Sequence, residues 1–270
     1  MGRKRVVILA GRSFTGTHVA SGLLRSGKEV AAIVVETDPP SSSQKEKGES
    51  RLRKLFWYLR TGQFSELLNR FGSFLWKSPY EWTHALHRRR EIIAARAKSF
   101  LSPAVYPKRR KQGTYFFFED LAKLYHVPVL SVSNLNDPDS VLKIQRFSPD
   151  LLVICGTRKL KPEVLHSAPS GALNIHGSLL PKYRGLSAEF WALFHGDHDA
   201  VGVTVHYADS GLDTGDIVLQ RKTETTAKDT FRTLRFKNTR AGGELMVEAL
   251  NRIEEGTVQR TPQPKEGYPA

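Results

Sequence analysis

Two polar side chains, Asn174 and His176, stand two residues apart in the otherwise apolar run Ala172–His176. The run has the length and apolar content of a buried strand, and alternate residues of a strand point to the same face. Asn174 and His176 therefore share one face. A satisfied network of buried hydrogen bonds is one interpretation of this pair. A catalytic site is the other, because functional groups in open α/β sheets collect at the carboxyl ends of strands.

A second group of polar residues lies in the later turn DSGLDTGD. Asp213 follows an apolar residue there and stands between Gly211 and Gly215, which predicts a carboxylate directed inward rather than into solvent. Glycine residues also let a ligand approach the backbone closely. We therefore group Asp213 with Asn174 and His176 as one candidate site.

An amide, an imidazole and a carboxylate form a coherent set for acyl transfer. A neutral imidazole takes a proton from an attacking amine, and an imidazolium gives one to a departing nitrogen. An amide N–H stabilises the oxyanion of a tetrahedral intermediate, and a carboxylate orients the imidazole and raises its pKa. No Ser or Cys nucleophile is needed: Ser178 lies too close to a tight turn, and Cys155 is expected to pack on a buried strand. A metal is not expected, because Asn is a weak ligand and no zinc-site spacing occurs.

The elements around these residues predict an α/β fold. A strand over Arg5–Ala10, a helix that ends at Gly27 and a second continuous apolar strand indicate a parallel sheet covered on both faces. The same alternation resumes after residue 113 and ends with two alternating strands and a helix over Thr230–Ile253. The loop between Gly11 and Gly16 lacks the GxGxxG and P-loop patterns. It is either a plain βα turn or an anion-binding cradle of backbone N–H groups at a helix start.

A basic, aromatic-rich segment, residues 38–113, interrupts this alternation. The 270 residues carry a formal net charge of +14, and the positive charge concentrates between Lys45 and Lys111. Apolar residues recur there at helical spacing, so we predict a helical insertion within one domain that spans residues 1–270. Either its aromatic stripe packs on the core and its basic face is solvated, or it is a docking surface for a membrane or a polyanionic partner.

The motif LNIHGSLLPKYRG, followed by GVTVHYADSGLDTGDIVLQ, closely resembles the formyltransferases that use 10-formyltetrahydrofolate. This family includes glycinamide ribonucleotide, methionyl-tRNA and amino-sugar formyltransferases. The resemblance is specific over residues 172–220, looser over 5–35 and 128–165, and does not cover the insertion. It implies a Rossmann-like formyltransferase fold, with a mostly parallel sheet and antiparallel C-terminal strands, and a cis peptide bond between Leu180 and Pro181.

The resemblance also implies a set of site residues. Carried over by position, Asn174, His176 and Asp213 would be catalytic, with Asn174 polarising the formyl oxygen. The residues expected to bind the co-substrate 10-formyltetrahydrofolate are Thr157, Arg158, Lys159, Leu160, Asp209, Gly211, Leu212 and Gly215. The residues expected to contact the acceptor are Gly11, Arg12, Ser13, Ser178 and Arg184.

We therefore expect an enzyme that moves a formyl group from 10-formyltetrahydrofolate to a primary amine, without a metal. The expected acceptor is an anionic small molecule, first an amino sugar, including nucleotide-linked ones, because we do not expect the C-terminal barrel domain of the tRNA enzyme within these 270 residues. Transfer RNA is second, since a basic insertion could bind an acceptor stem. Two further hypotheses are hydrolysis of the formyl group by water and a non-catalytic binding module. One cysteine and no membrane-length apolar run favour a cytoplasmic protein, with a homodimer as one option for its assembly.

Overall fold

The computed structural model describes residues 2–11, 13–37, 118–226 and 229–264. The predicted insertion, residues 38–113, therefore lies outside the described residues, as does Arg12. Within the described ranges, no helix has the length and apolar content needed to cross a membrane.

Seven strands form a single sheet in the described part of the chain. They are β1 (Val6–Gly11), β2 (Val30–Glu36), β3 (Val129–Val132), β4 (Leu151–Cys155), β5 (Ala172–His176), β6 (Gly202–Tyr207) and β7 (Ile217–Lys222). Their order is β3-β2-β1-β4-β5-β6-β7, with parallel pairing from β3 to β5 and antiparallel pairing of β6 with both β5 and β7. The predicted fold class, a mostly parallel sheet with antiparallel C-terminal strands, is confirmed.

Six α-helices accompany the strands in the described residues, and two of them, which start at residues 14 and 231, are the helices that the sequence predicted before Gly27 and over Thr230–Ile253. They are α1 (Phe14–Arg25), α2 (Phe118–Tyr125), α3 (Pro138–Gln145), α4 (Pro162–Leu165), α5 (Ala188–Phe194) and α6 (Phe231–Glu255). Proline occupies the first position of α3 and of α4, where its missing N–H costs no hydrogen bond. The hydroxyl oxygen of Thr230 accepts from the backbone N–H of Thr233 and so begins α6.

Each face of the sheet packs against an apolar core, so the strands are buried on both sides. Ile8 belongs to the core that α1 and α6 cover, whereas Leu9 belongs to the core against α3 and α4. Cys155 is fully buried at the end of β4, as expected, and burial raises the pKa of its thiol to about 12. One expectation is wrong: β6 does not alternate, since all six of its residues are buried between β5 and β7.

The strand order reverses between β1 and β4, and open α/β sheets form their ligand crevice at such a reversal. Gly11 ends β1, and Gly156 follows β4. A Cβ atom at Gly11 would overlap the carbonyl oxygen of Gly156, so the two backbones meet closely there. Gly11 and Ser13 of the predicted acceptor set and the predicted co-substrate segment, residues 157–160, therefore flank one crevice.

Candidate active site

Buried hydroxyl groups hold the turn that follows β5. The hydroxyl of Ser178 lies 2.9 Å from the carbonyl oxygen of Lys182 and 3.2 Å from that of Tyr183, and it donates to both. Thr204 on β6 donates to the carbonyl oxygen of Ser178 (2.6 Å) and accepts from the backbone N–H of Leu180 (3.1 Å). These contacts fix the backbone directly after His176.

The same turn contains the cis peptide bond between Leu180 and Pro181, which confirms the expectation drawn from the resemblance. Gln220 on β7 donates to the carbonyl oxygen of Leu180 (2.8 Å) and so attaches the turn to the antiparallel strands. Ser178 was expected to contact the acceptor. Because its hydroxyl is buried and has partners within the turn, that role remains a prediction.

His176 is buried with both ring nitrogens close to protein oxygens. Its Nε2–H donates to the carbonyl oxygen of Tyr183 (2.8 Å), which selects the neutral tautomer that carries its proton on Nε2. Nδ1 then holds a lone pair and lies 3.3 Å from Oδ2 of Asp213. Burial lowers the pKa of His176, although the carboxylate of Asp213 and the carbonyl of Tyr183 act in the opposite direction. The neutral ring is therefore a base whose free nitrogen can receive a proton beside a carboxylate.

Asp213 joins three parts of the site. Its Oδ2 accepts from the backbone N–H of Gly185 (2.8 Å), and its Oδ1 accepts from the amide of Asn174 (3.2 Å). The backbone of Asp213 has φ +52°, a left-handed conformation that Asp tolerates better than most residues. Burial alone would raise the pKa of Asp213, but the nearby His206, the His176 ring and the N–H of Gly185 lower it to about 2. The carboxylate is therefore ionised at neutral pH.

His206 is a fourth member of this cluster that sequence reasoning missed. The antiparallel register places His206 on β6 opposite Asn174 on β5. Its Nδ1–H donates to the carbonyl oxygen of Tyr207 (2.8 Å), and its Nε2 lies 3.1 Å from Nδ2 of Asn174 and 3.5 Å from Oδ1 of Asp213. The signal in the sequence was a histidine inside an apolar strand, and only the cross-strand register shows which residue it faces.

Nδ2 of Asn174 has two neighbours within hydrogen-bonding distance in this arrangement, namely Nε2 of His206 (3.1 Å) and Oδ1 of Asp213 (3.2 Å). The amide thus ties the Asp213 loop to β5. To stabilise an oxyanion, Asn174 must redirect one hydrogen from His206 or Asp213 to the new oxygen. The oxyanion role remains a prediction, with this exchange of partners as its structural requirement.

The predicted co-substrate segment after β4 presents charged side chains and backbone groups to a ligand, rather than apolar side chains. Arg158 places its Nε 2.6 Å from Oε1 of Glu36 on β2, and Lys159 is exposed. The hydroxyl of Thr157 donates to the carbonyl oxygen of Arg158 (2.9 Å). Leu160 packs in the core against α3 and α4, so its side chain is not available to a ligand.

The second predicted co-substrate segment is the loop that carries Asp213. The carboxylate of Asp209 accepts from the backbone N–H of Gly211 (3.0 Å) and from the hydroxyl of Thr214 (2.7 Å), so it shapes the loop itself. Leu212 is 55% exposed and presents an apolar side chain to solvent. Gly215 is required by packing, because a Cβ atom there would overlap the backbone at the end of β6.

The predicted acceptor residues lie at two places. Gly11 and Ser13 border the crevice, and Ser13 caps α1 by accepting from the backbone N–H of Gly16 (3.2 Å). Arg184 follows the turn after β5 but is only 7% exposed, and its Nη2 donates to two oxygens of residues 263–264. Acceptor binding by Arg184 remains a prediction, and the structure gives this side chain partners within the protein.

A buried carboxylate, also missed by sequence reasoning, lies beside the turn after His176. Glu189 in the first turn of α5 is 6% exposed. Its Oε1 approaches Gly177 so closely that a Cβ atom there would come within 2.5 Å. Nη2 of Arg235 lies 3.7 Å away, and the described residues provide Glu189 with no hydrogen bond. Its negative charge acts to raise the pKa of His176, so it lies within electrostatic range of the cluster.

Comparison with known proteins places the chain among formyl-transfer proteins. The family described as "Formyl transferase" matches residues 96–250. The methionyl-tRNA formyltransferase of Acetivibrio thermocellus is 42% identical over 142 residues, which cover 52% of this chain and 45% of that protein. The methionyl-tRNA formyltransferase of Syntrophus aciditrophicus is 38% identical over 143 residues, covering 53% and 46%. The chain spans about half the length of these curated relatives.

The fold agrees with solved structures. Glycinamide ribonucleotide transformylase 1 from Symbiobacterium toebii superposes with a TM-score of 0.59 at 19% identity, covering 97% of this chain and 95% of that one. At this level of identity the likeness concerns the fold alone. Within the described part of the chain, no group of three His, Cys, Asp or Glu residues is arranged to hold a metal ion.

Proposed function

Because the chain belongs to the formyl transferase family, we propose that it transfers a formyl group from 10-formyltetrahydrofolate to the nitrogen of a primary amine. The observation that carries this proposal is the position of Asp213 between the other two predicted catalytic residues. Its oxygens lie 3.2 Å from Nδ2 of Asn174 and 3.3 Å from Nδ1 of His176. An ionised carboxylate, a neutral base and an amide donor are the groups that acyl transfer to an amine requires.

His176 is assigned the proton transfer. Its Nδ1 takes a proton from the amine as the amine nitrogen bonds to the formyl carbon, and the resulting imidazolium donates to Asp213 and to Tyr183. Asn174 donates to the oxygen of the formyl group as negative charge develops there. When the bond between the formyl carbon and N10 breaks, His176 returns the same proton to N10. The products are the N-formyl amine and tetrahydrofolate, so atoms and protons balance.

The residues near the cluster fit an amphipathic co-substrate that carries a flat ring system and a carboxylate tail. Leu212, at 55% exposure, offers an apolar contact for a ring. Arg158 and the exposed Lys159 offer cations for carboxylates. 10-Formyltetrahydrofolate supplies the formyl group in this assignment, and these side chains would hold it beside His176.

Glu189 is assigned to the amine of the acceptor. A primary amine carries a positive charge at neutral pH, and a buried carboxylate is costly unless hydrogen-bond donors or a cation compensate it. Among the described side chains, Arg235 lies 3.7 Å from Glu189 and is half exposed, so it compensates this charge only partly. An ammonium group held by Glu189 beside Gly177 loses one proton to solvent before the neutral amine attacks, and the proton that His176 carries to N10 is the second one, so protons balance.

Nucleotide-linked amino sugars are the acceptors we propose first. Phe236 on α6 is 57% exposed and stacks on Phe14, with ring centroids 5.6 Å apart. Phe14 lies directly after the predicted acceptor segment, residues 11–13. An exposed aromatic ring is a stacking surface for a nucleobase, and Arg235, beside Phe236, suits an acceptor that carries phosphate.

Methionyl-tRNA is the second candidate acceptor. The 42% identity to a methionyl-tRNA formyltransferase favours it, although that match covers 45% of the relative. The unpaired end of a tRNA also stacks on aromatic side chains and contacts cations. The two candidate acceptors therefore require the same type of binding surface, and an assay with each acceptor distinguishes them.

The test is to incubate the protein with 10-formyltetrahydrofolate and one acceptor at a time, and to measure formylated product by mass spectrometry. The arms are UDP-linked amino sugars, methionyl-tRNA and no amine. Product with an amino sugar supports the first acceptor, and product only with methionyl-tRNA supports the second. Loss of formyl at an equal rate without any amine would indicate a hydrolase. Binding of the folate without turnover in every arm would indicate a non-catalytic module.

A further inference from the structure

The chain returns to the active site after α6. Thr261 pairs with Ile217 at the start of β7 through two backbone hydrogen bonds of 2.9 Å. Residues 261–264 thereby lie beside the loop that carries Asp213. We refer to residues 261–264 as the C-terminal strap.

Gln263 of the C-terminal strap holds the Asp213 loop by its backbone. Its Nε2 donates to the carbonyl oxygens of Asp213 (3.0 Å) and Gly215 (2.6 Å). These oxygens flank Thr214, so the amide fixes the turn from which Asp213 projects with φ +52°. A strained conformation of this kind persists only when surrounding contacts hold it.

The other end of the Gln263 amide holds Arg184. Nη2 of Arg184 donates to Oε1 of Gln263 (3.0 Å) and to the carbonyl oxygen of Pro264 (3.0 Å). The guanidinium is buried, and its Nε has no hydrogen-bond partner among the described residues. A buried cation with neutral partners is costly and adds little stability. We explain the buried position of Arg184 by the backbone groups that this side chain holds in place.

Arg184 stands between the two backbone groups that orient the catalytic pair. The carbonyl oxygen of Tyr183 accepts the Nε2–H of His176 (2.8 Å), and the N–H of Gly185 donates to Asp213 (2.8 Å). Arg184 and Gln263 therefore connect the His176 side of the site to the Asp213 side through one chain of hydrogen bonds.

We propose that Arg184 and Gln263 are positioning residues that form a clamp across the active site and keep Nδ1 of His176 facing Oδ2 of Asp213. The clamp acts through the backbone of residues 183–185 and 213–215, and neither side chain touches the reacting atoms. The catalytic arm of this proposal rests on the proposed formyl transfer, whereas the structural arm does not.

The test compares Gln263→Ala, Gln263→Glu and Arg184→Lys with the control Gln259→Ala, an exposed glutamine before the strap. The substrate-free readout is the ¹⁵N NMR spectrum of the His176 ring at about pH 8, where histidine is neutral. Gln263→Ala should raise the fraction of the Nδ1–H tautomer, because the carbonyl of Tyr183 is no longer held. Arg184→Lys, which replaces the guanidinium with a shorter ammonium, should shift the tautomer in the same direction. Gln263→Glu keeps the acceptor for Arg184 but loses both donors to the Asp213 loop, so it should leave the tautomer near that of the parent and lower kcat roughly tenfold. Gln259→Ala should leave the tautomer unchanged.

In the kinetic arm, Gln263→Ala should lower kcat roughly tenfold, the size typical of lost hydrogen bonds, and leave KM for 10-formyltetrahydrofolate within about twofold of the parent. A lower Tm with an unchanged His176 tautomer and unchanged kcat would show a purely structural role and overturn the clamp. If Gln263→Ala does not fold, Arg184→Lys decides by the His176 tautomer and by kcat, and Gln263→Glu decides by kcat. A parent protein without formyl transfer overturns the proposed function, but the NMR arm still tests the clamp.

Discussion

Nδ1 of His176 lies 3.3 Å from Oδ2 of Asp213, and both side chains are largely buried. In the neutral ring a lone pair faces a carboxylate, an arrangement that becomes favourable only when a proton arrives between them. The pair is therefore arranged to accept a proton during a reaction and to stabilise it once it is there.

Replacing the proton carrier or the amide donor should abolish most of the activity. We expect His176→Ala and Asn174→Ala each to lower kcat by roughly a hundredfold or more, the size typical of losing an acid–base group or an oxyanion donor. Folate affinity, measured by fluorescence titration, should change little. His166→Ala, at an exposed position after α4, is the matched control. Near-normal turnover in either site variant would remove that residue from the mechanism.

His206→Ala should have a smaller effect than His176→Ala. Nε2 of His206 lies 3.1 Å from Nδ2 of Asn174 and 3.5 Å from Oδ1 of Asp213, and no hydrogen bond joins His206 to Nδ1 of His176 in the described structure. We expect a loss of roughly tenfold in kcat, because one hydrogen bond that orients Asn174 is missing. Steady-state kinetics would measure this. A loss as large as that of His176→Ala would mean that His206 itself transfers a proton.

The pH dependence of kcat/KM should report the state of His176. Because burial lowers the pKa of His176, the acid limb of the profile should fall below the ordinary histidine range near 6.5. Asp213→Asn removes a charge that acts to raise this pKa, so the limb should move to still lower pH while kcat decreases. NMR titration of the His176 ring gives the same quantity without substrate. If the acid limb of the kcat/KM profile stays at the same pH in Asp213→Asn, the charge of Asp213 does not affect the pKa of His176.

Asp213 should also contribute to stability in a defined pH range. Its folded-state pKa of about 2 lies below the value of an unfolded Asp, near 3.9. The stabilisation is therefore fully present above about pH 4 and is lost as the pH falls through about 2, with a size on the order of 2 kcal/mol. Urea unfolding of the parent and of Asp213→Asn should show a gap in free energy at neutral pH that closes in acid. A gap of constant size would show that Asp213 stabilises the fold by other means.

Glu189→Gln tests the amine site. If Glu189 holds the ammonium group of the acceptor, loss of its charge should raise KM for the acceptor roughly tenfold, as for a lost charge-assisted hydrogen bond. KM for 10-formyltetrahydrofolate should stay unchanged. Glu163→Gln, an exposed residue on α4, is the control. Equal rises in both KM values would indicate a general disturbance rather than an amine site.

The sequence predicted the sheet, and the strand face that Asn174 and His176 share, for a physical reason. Residues two apart on a strand point to the same face, so Asn174 and His176 share a face in any fold that contains this strand. Asp213 was found through its turn and through the resemblance, since its approach to β5 depends on a left-handed backbone that the letters alone do not reveal.

The sequence did not predict the contacts of residues whose neighbours come from distant parts of the chain. His206 reads as part of an apolar strand until β6 is paired with β5 in the observed register. Glu189 reads as an ordinary first-turn carboxylate, and its burial follows from the absence of a side chain at Gly177. Arg184 reads as a substrate contact, but its partners lie about 80 residues later in the C-terminal strap.

The burial of Cys155 gives this protein a practical advantage for spectroscopy. The sequence contains one cysteine, and its thiol is fully buried with a pKa raised to about 12, so it forms almost no thiolate at neutral pH. A cysteine introduced at an exposed position, such as Glu163→Cys, would then react with a maleimide dye or spin label while Cys155 stays unmodified. Two such exposed cysteines would carry a donor and an acceptor dye, so distances could be measured by fluorescence transfer without first removing a native thiol from the core.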